Sequence, residues 1–382
     1  MRASTRIQAL LLGGVLTLPA CGPTFQAPPV SPGLIESERL RQKEEMLKAY
    51  FERIEQVARV TNLIAAKNVE LCDDQTEPHL GIFWADKKMI TEEYWDVAER
   101  VFGIGDNLRV LAVVPGFPAE AAGVKPGDVV LKINDSEIVS ASAMFDKTSK
   151  SDRAREMLRN AGMEPAVLEI TRTGEPVKLT VYPIPACTFS AKVAIKETVN
   201  AFADGNTIAV TTGMLRFVKS DDELAVVLGH ELAHNILAHP TKGRGSAIAG
   251  GFLGLLLDAA AAAGGVNTGG LFSQWGAQAG RLMFSKDYER EADYLGLYFA
   301  ARAGFDPSRA PDLWRRMAIE HPASIKDNFL ATHPSTPERA ATLQATVQEI
   351  NNKLRSETSL LPSRKVTWQV SDRKADKPPL DE

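Results

Sequence analysis

The sequence predicts an α+β chain, mostly helical, with a small β-rich domain inserted near its N-terminal end. Three observations predict this. Residues 37–67 place Leu47, Tyr50, Phe51, Ile54, Val57, Ala58 and Ile64 at three-and-four spacing among charged residues, which is one apolar stripe of a helix. Residues 78–185 change to short runs rich in Val, Ile and Leu, separated by turn residues. From Ser220 the helical pattern returns behind a capping box, Ser220-Asp221-Asp222-Glu223. The chain has 382 residues, 44% hydrophobic and 24% charged, which excludes wholesale disorder and a polytopic membrane protein. A net charge of −4 gives no basic field for nucleic acid.

Taken in order, residues 1–20 read as an export signal. Arg2 and Arg6 precede an apolar run, Ile7–Leu18, too short to span a bilayer comfortably. Leu18-Pro19-Ala20-Cys21-Gly22 resembles the bacterial lipobox, which implies lipidation at Cys21 and a membrane anchor. Gly22 in place of Asp after that cysteine points to the outer membrane, facing the periplasm. Residues 21–36, with Pro23, Pro28, Pro29 and Pro32, read as an extended tether. Residues 37–77 read as an N-terminal helix belonging to the main domain. An exported chain favours disulfides, and with Cys21 lipidated Cys72 and Cys187 are the remaining pair.

The block 78–185 holds Pro118-Ala119-Glu120-Ala121-Ala122-Gly123-Val124-Lys125-Pro126-Gly127-Asp128, which closely resembles the signature of PDZ domains. The resemblance makes Leu80, Gly81 and Ile82 the carboxylate-binding loop and groove strand, with Ser151–Asn160 the opposing helix. Such a groove takes C-terminal peptide ends by strand addition.

Chemistry is carried by the capped helix. It contains His230-Glu231-Leu232-Ala233-His234. A four-residue step turns a helix by about 400°, so both imidazoles share one face at a spacing that lets them bind one zinc ion. Glu231 lies where its carboxylate can act as a general base. Two histidines leave zinc short of a third protein ligand, and spacing alone offers both Glu289 and Glu291. His239 follows His234 by five residues. That rotation turns it away from the shared face, so it reads as a structural hydrogen-bonding residue.

Beyond the spacing, residues 190–355 resemble the HtpX and CAAX-prenyl-protease family of zinc metallopeptidases, in its periplasmic BepA-like form. The family's zinc glutamate begins a Glu-x-x-x-Asp motif, which Glu289 and Asp293 match. The resemblance implies a zincin-type domain over 186–355 that holds one Zn2+ per chain through His230, His234 and Glu289. Asp293 then orients a ligand histidine. Thr212-Gly213-Met214-Leu215 looks like the family's strand-to-helix junction, and Asn206–Val210 like the edge strand that pairs with extended substrate. Thr332-His333-Pro334 resembles a loop whose histidine occupies the open zinc position and restrains activity, or else stabilises the oxyanion; Arg339 would pair with an active-site acid.

His79 and His321 match no catalytic motif and read as solvated. Gly243–Gly280, apolar but interrupted by Asp258, reads as a lid or membrane-leaning hairpin over the cleft, with a buried core helix as the open alternative. Residues 356–382 read as a polar tail. The implied function is zinc-dependent endopeptidase action on misfolded or misassembled envelope proteins. The competing expectation is a lipid-anchored PDZ scaffold or chaperone with a latched or inactive zinc site.

Overall fold

The structure is a computed structural model, and it describes residues 28–139, 149–205, 207–242, 285–320 and 337–363. Cys21, His321, His333 and the Gly/Ala-rich stretch 243–280 lie outside the described residues. The chain divides into two compact units, residues 1–42 and residues 43–382.

Helix α1 (Pro32–Lys67) starts inside the stretch expected to be an extended tether. Proline is tolerated in a first helical turn, where its missing N–H has no intrahelical acceptor to lose. Ser31 supports that start by accepting from the Leu34 amide. Further along, α1 serves two cores. Val57, Val60 and Ile64 enter the main core, while Leu47 packs with Val97, Ala98 and Ile104. The second group belongs to α2 (Trp95–Phe102) and the loop after it, which the sequence pattern did not announce.

Strand β1 (Thr76–His79) pairs antiparallel with β8 (Ile184–Cys187), forming a two-stranded stalk where the inserted domain leaves and rejoins the chain. A disulfide joins Cys72 to Cys187 at its base, and both residues are fully buried. Above the stalk, β2 (Ile82–Ala85), β3 (Leu108–Val113), β4 (Val129–Ile133), β6 (Ala166–Arg172) and β7 (Glu175–Val181) form one antiparallel sheet in that order, with β5 (Ser136–Glu137) on β4. Helices α3 (Pro118–Ala121) and α4 (Lys150–Ala161) complete this domain around Leu108, Val110, Leu168 and Ile170. The Pro-Gly-Asp turn has a specific partner. Asp128 is buried and accepts two hydrogen bonds of 2.8 Å from the Arg172 guanidinium. Such a fork fixes geometry as well as charge.

In the second domain, a three-stranded sheet has the order β10 (Ala201–Ala203), β11 (Thr207–Thr211), β9 (Ser190–Ala194). This corrects one expectation: Thr207–Val210 is not an edge strand, because β10 and β9 cover both of its sides. Thr211 caps α5 (Thr212–Phe217) by accepting from the Met214 amide. Ser220 caps α6 (Asp221–Ile236) by accepting from the Glu223 amide; the reciprocal arm lands one residue early, with Glu223 accepting from the Lys219 amide at 2.8 Å. Helices α7 (Ser285–Arg302) and α8 (Ala310–Glu320) pack against α6, and α9 (Pro337–Arg355) packs on α7 and α8. No helix among the described residues is long and apolar enough to cross a membrane.

Candidate metal centre

Helices α6 and α7 touch backbone to backbone. A Cβ on Gly229 would lie 2.5 Å from the Gly296 carbonyl oxygen, and one on Gly296 would lie 2.7 Å from the His230 nitrogen. Only hydrogen fits between the two helices here, so both positions require glycine despite its poor helix propensity. The close crossing brings His230 and His234 on α6 against Glu289 and Asp293 on α7.

All four of these side chains are buried, as is Glu231. The two Nε2 atoms lie 3.1 Å apart, and the Glu289 carboxylate is 3.4 Å from His230 Nε2 and 3.3 Å from His234 Nε2. One ligand atom from each of His230, His234 and Glu289 falls within 4.8 Å of the others. Two imidazoles and a carboxylate converging through their lone-pair atoms are a donor set that suits Zn2+. Glu291 does not join them. Its carboxylate faces His239 instead.

Asp293 accepts at 3.0 Å from His230 Nδ1, and takes a two-pronged ion pair from Arg339 at 2.6 and 2.7 Å. Arg339 is buried in the first turn of α9, with Nη1 3.2 Å from Glu289 and its guanidinium 3.8 Å above the Trp314 ring. The His230 ring meets the same indole edge-on, with centroids 5.3 Å apart. Trp314 had no signal in the sequence beyond its apolar helix position. Gly229 and Gly296 carried only the weak signal of glycines inside helical patterns.

The electrostatics favour a cation between the carboxylates. Burial pushes the His230 imidazolium down, but hydrogen bonds to Asp293 and Glu289 outweigh it and lift the group to about 9. Burial also works against the charged Asp293, yet Arg339 and His230 hold it below the usual carboxylate range.

Two histidines differ from expectation. His239 lies against the site instead of away from it, with Nδ1 3.0 Å from His234 Nδ1. His79 is half-buried, not solvated, and bonds to Asn62 on α1. Burial, helped by Arg155, pushes His79 down to about 4.

Leu80, Gly81 and Ile82 line a cavity of about 420 Å³ between β2 and α4. Gly81 takes φ of +76°, and a Cβ there would run into Phe117. The far wall comes from the other domain: Ile54 and Ala58 of α1, with Ala191 and Val193 of β9. Arg155 on α4 reaches from this cavity to the buried carboxylate of Glu77 and to the Phe189 carbonyl.

With this geometry in place, family comparison is decisive. The profile described as peptidase family M48 matches residues 170–347, and that of the PDZ domain matches residues 109–172. Residues 170–347 are therefore similar to peptidase family M48 domains. That region contains every residue of the metal cluster, and the PDZ domain contains the core of the inserted sheet. Mitochondrial metalloendopeptidase OMA1 of Arabidopsis thaliana is 38% identical over 154 residues, covering 40% of this chain and 30% of that protein. Its namesake in Schizosaccharomyces pombe is 30% identical over 218 residues, covering 55% and 63%. A putative beta-barrel assembly-enhancing protease of Vibrio cholerae is 32% identical over 149 residues, covering 37% and 31%. The chain thus spans less than two thirds of these relatives. Among solved structures, the peptide-bound HtrA3 PDZ domain is 22% identical at a TM-score of 0.21, covering 29% of this chain and 88% of that one.

Proposed function

We propose that the chain is a zinc-dependent endopeptidase of the bacterial cell envelope, acting on misfolded or misassembled envelope proteins. One observation carries the reading: His230, His234 and Glu289 converge, buried, inside the M48-like region. These three residues would hold the ion. When bound, zinc supplies Lewis-acid polarisation to the attacking water and the scissile carbonyl. Glu231, next to His230 on α6, takes the water's proton on its carboxylate and passes it to the leaving amine. Asp293 holds the His230 ring through Nδ1, and Arg339 keeps Asp293 ionised. The protein walls around the cluster exclude bulk water, which strengthens each of these interactions.

The PDZ domain supplies substrate selection in this reading. Extended C-terminal peptide ends would enter the cavity beside Leu80–Ile82 and add a strand to the open edge of β2. Cys21 would carry the lipid anchor, most simply in the outer membrane, and His333 would restrain the site or assist the oxyanion. Cys21→Ala should release the chain from membranes, and His333→Ala should change the cleavage rate.

The decisive test is Glu231→Gln with casein as an unfolded substrate. The variant should keep one zinc per chain and lose cleavage by about 10²-fold or more. Cleavage by Glu231→Gln at the wild-type rate would overturn the assignment. Stoichiometric zinc with no cleavage by wild type or by His333→Ala would favour a lipid-anchored scaffold or chaperone.

A further inference from the structure

Helix α6 stops two residues after His234. Leu237 closes it, its N–H bonding to the Ala233 and Asn235 carbonyls, and Ala238 then takes φ of +55°. A residue with a Cβ rarely adopts that left-handed conformation. On an uninterrupted helix, the fifth residue after His234 would sit about 140° round the axis. The left-handed step instead folds the chain back and lays His239 on His234.

The contacts made there are specific. His239 is 4% exposed, and its ring stacks on Tyr288 with centroids 4.3 Å apart at 16°. Nδ1 lies 3.0 Å from His234 Nδ1, and Nε2 lies 3.2 Å from Glu291 Oε2. Tyr288 and Glu291 flank Glu289 on α7. The two ligand histidines are therefore supported in parallel ways. The Nδ1 of His230 meets the Asp293 carboxylate directly, at 3.0 Å. The Nδ1 of His234 meets the His239 imidazole, whose far nitrogen meets the Glu291 carboxylate.

Proton placement along this chain of contacts has one solution for neutral rings. An ionised carboxylate accepts and does not donate, so His239 Nε2 carries the hydrogen towards Glu291. Its Nδ1 is then a lone pair, so His234 Nδ1 must donate. That leaves the lone pair of His234 on Nε2, the atom facing Glu289 and His230. We propose that Glu291 and His239 form a relay that fixes the tautomer and ring orientation of His234, making both positioning residues for the metal. The inference rests on the metal site argued above, and it adds residues that neither ligand spacing nor the Glu-x-x-x-Asp motif includes.

Zinc affinity of the full chain, measured by competition against a chromophoric chelator, tests it without reference to cleavage. His239→Ala should weaken zinc binding 10–100-fold, the usual range for losing a group that orients a ligand. Glu291→Ala should weaken it several-fold, since that carboxylate is 53% exposed. In the His239→Ala background, Glu291→Ala should cost nothing further. His239→Asn should recover most of the affinity, because its amide oxygen can accept from His234 Nδ1 although stacking on Tyr288 is lost. Circular dichroism of the metal-free variants shows that they are folded. His239→Ala binding zinc within twofold of wild type would overturn the relay, as would an undiminished Glu291→Ala effect in the His239→Ala background. Wild type failing to bind zinc would overturn the metal reading, and the relay with it.

Discussion

Replacing Gly296 by Ala should loosen the metal centre without touching a ligand. In an unencumbered helix this change stabilises by about 1 kcal/mol, because glycine loses more backbone entropy on folding. Here the new Cβ would lie 2.7 Å from the His230 nitrogen and 2.8 Å from its Cα, whereas ordinary contact begins at 3.4 Å. The obstacle is backbone, so no rotamer change relieves it. Helices α6 and α7 must separate by about 0.7 Å, and overpacking of this kind costs about 1–3 kcal/mol. The net expectation is a loss of about 1 kcal/mol, or about 2–4 °C in Tm for a domain of this size. The effect on metal is larger in proportion. Ligand distances tolerate only about ±0.2 Å, so zinc affinity should fall at least about tenfold. Thermal unfolding of the metal-free chain and chelator competition read the two effects separately. Gly33→Ala is the control, since a Cβ there meets nothing within 4 Å. A Gly296→Ala protein with raised Tm and wild-type zinc affinity would refute the reasoning.

Three further outcomes follow from the same structure. Arg339→Met leaves Asp293 and Glu289 buried without their cation and should destabilise the metal-free chain by about 3–5 kcal/mol in urea unfolding; a change below about 1 kcal/mol would contradict the role given to that ion pair. Reducing Cys72–Cys187, which are 115 residues apart, carries a chain-entropy ceiling of about 4.7 kcal/mol. Because the β1–β8 stalk already holds those ends together, about 2 kcal/mol is expected, and a Tm insensitive to dithiothreitol would show that the stalk alone suffices. His79 titrates at about 4 in the folded chain, against about 6.5 unfolded. The unfolded chain takes the proton first, so this contribution, at most about 3 kcal/mol, is lost as pH falls from about 6.5 to about 4. Stability curves of wild type and His79→Gln that stay parallel over that window would disprove the assignment.

Much of the centre was legible because its spacing is local. The His230 and His234 pair and the capping box at Ser220 rest on helix periodicity, which a single segment carries complete. The Pro-Gly-Asp turn was legible for the same reason, since its chain reversal is written in adjacent residues. Family resemblance, not spacing, favoured Glu289 over Glu291, because both lie on one helix and only the direction of α6 chooses between them.

His239 has the hydrogen-bonding role the sequence suggested, but its direction was misread by a rule that is right for an unbroken helix. Nothing local announces that Ala238 will take a left-handed conformation, since alanine is the best helix former. Residue Thr207 and its neighbours were misplaced for a related reason: whether a strand lies at an edge depends on what pairs with it, and β9 and β10 are separate segments.

By itself the sequence determined the local elements of this protein: the capped helix with two imidazoles on one face, the β-rich insert with its turn, and the acidic motif on a second helix. Tertiary structure decided what these elements do to one another. Two glycines set how closely α6 and α7 approach, and so whether three ligands from two helices meet. One left-handed alanine set whether a third histidine supports them. Periodicity acts over a few residues along the chain, but a buried donor set depends on distances of a few ångströms between segments some fifty residues apart, which only packing fixes.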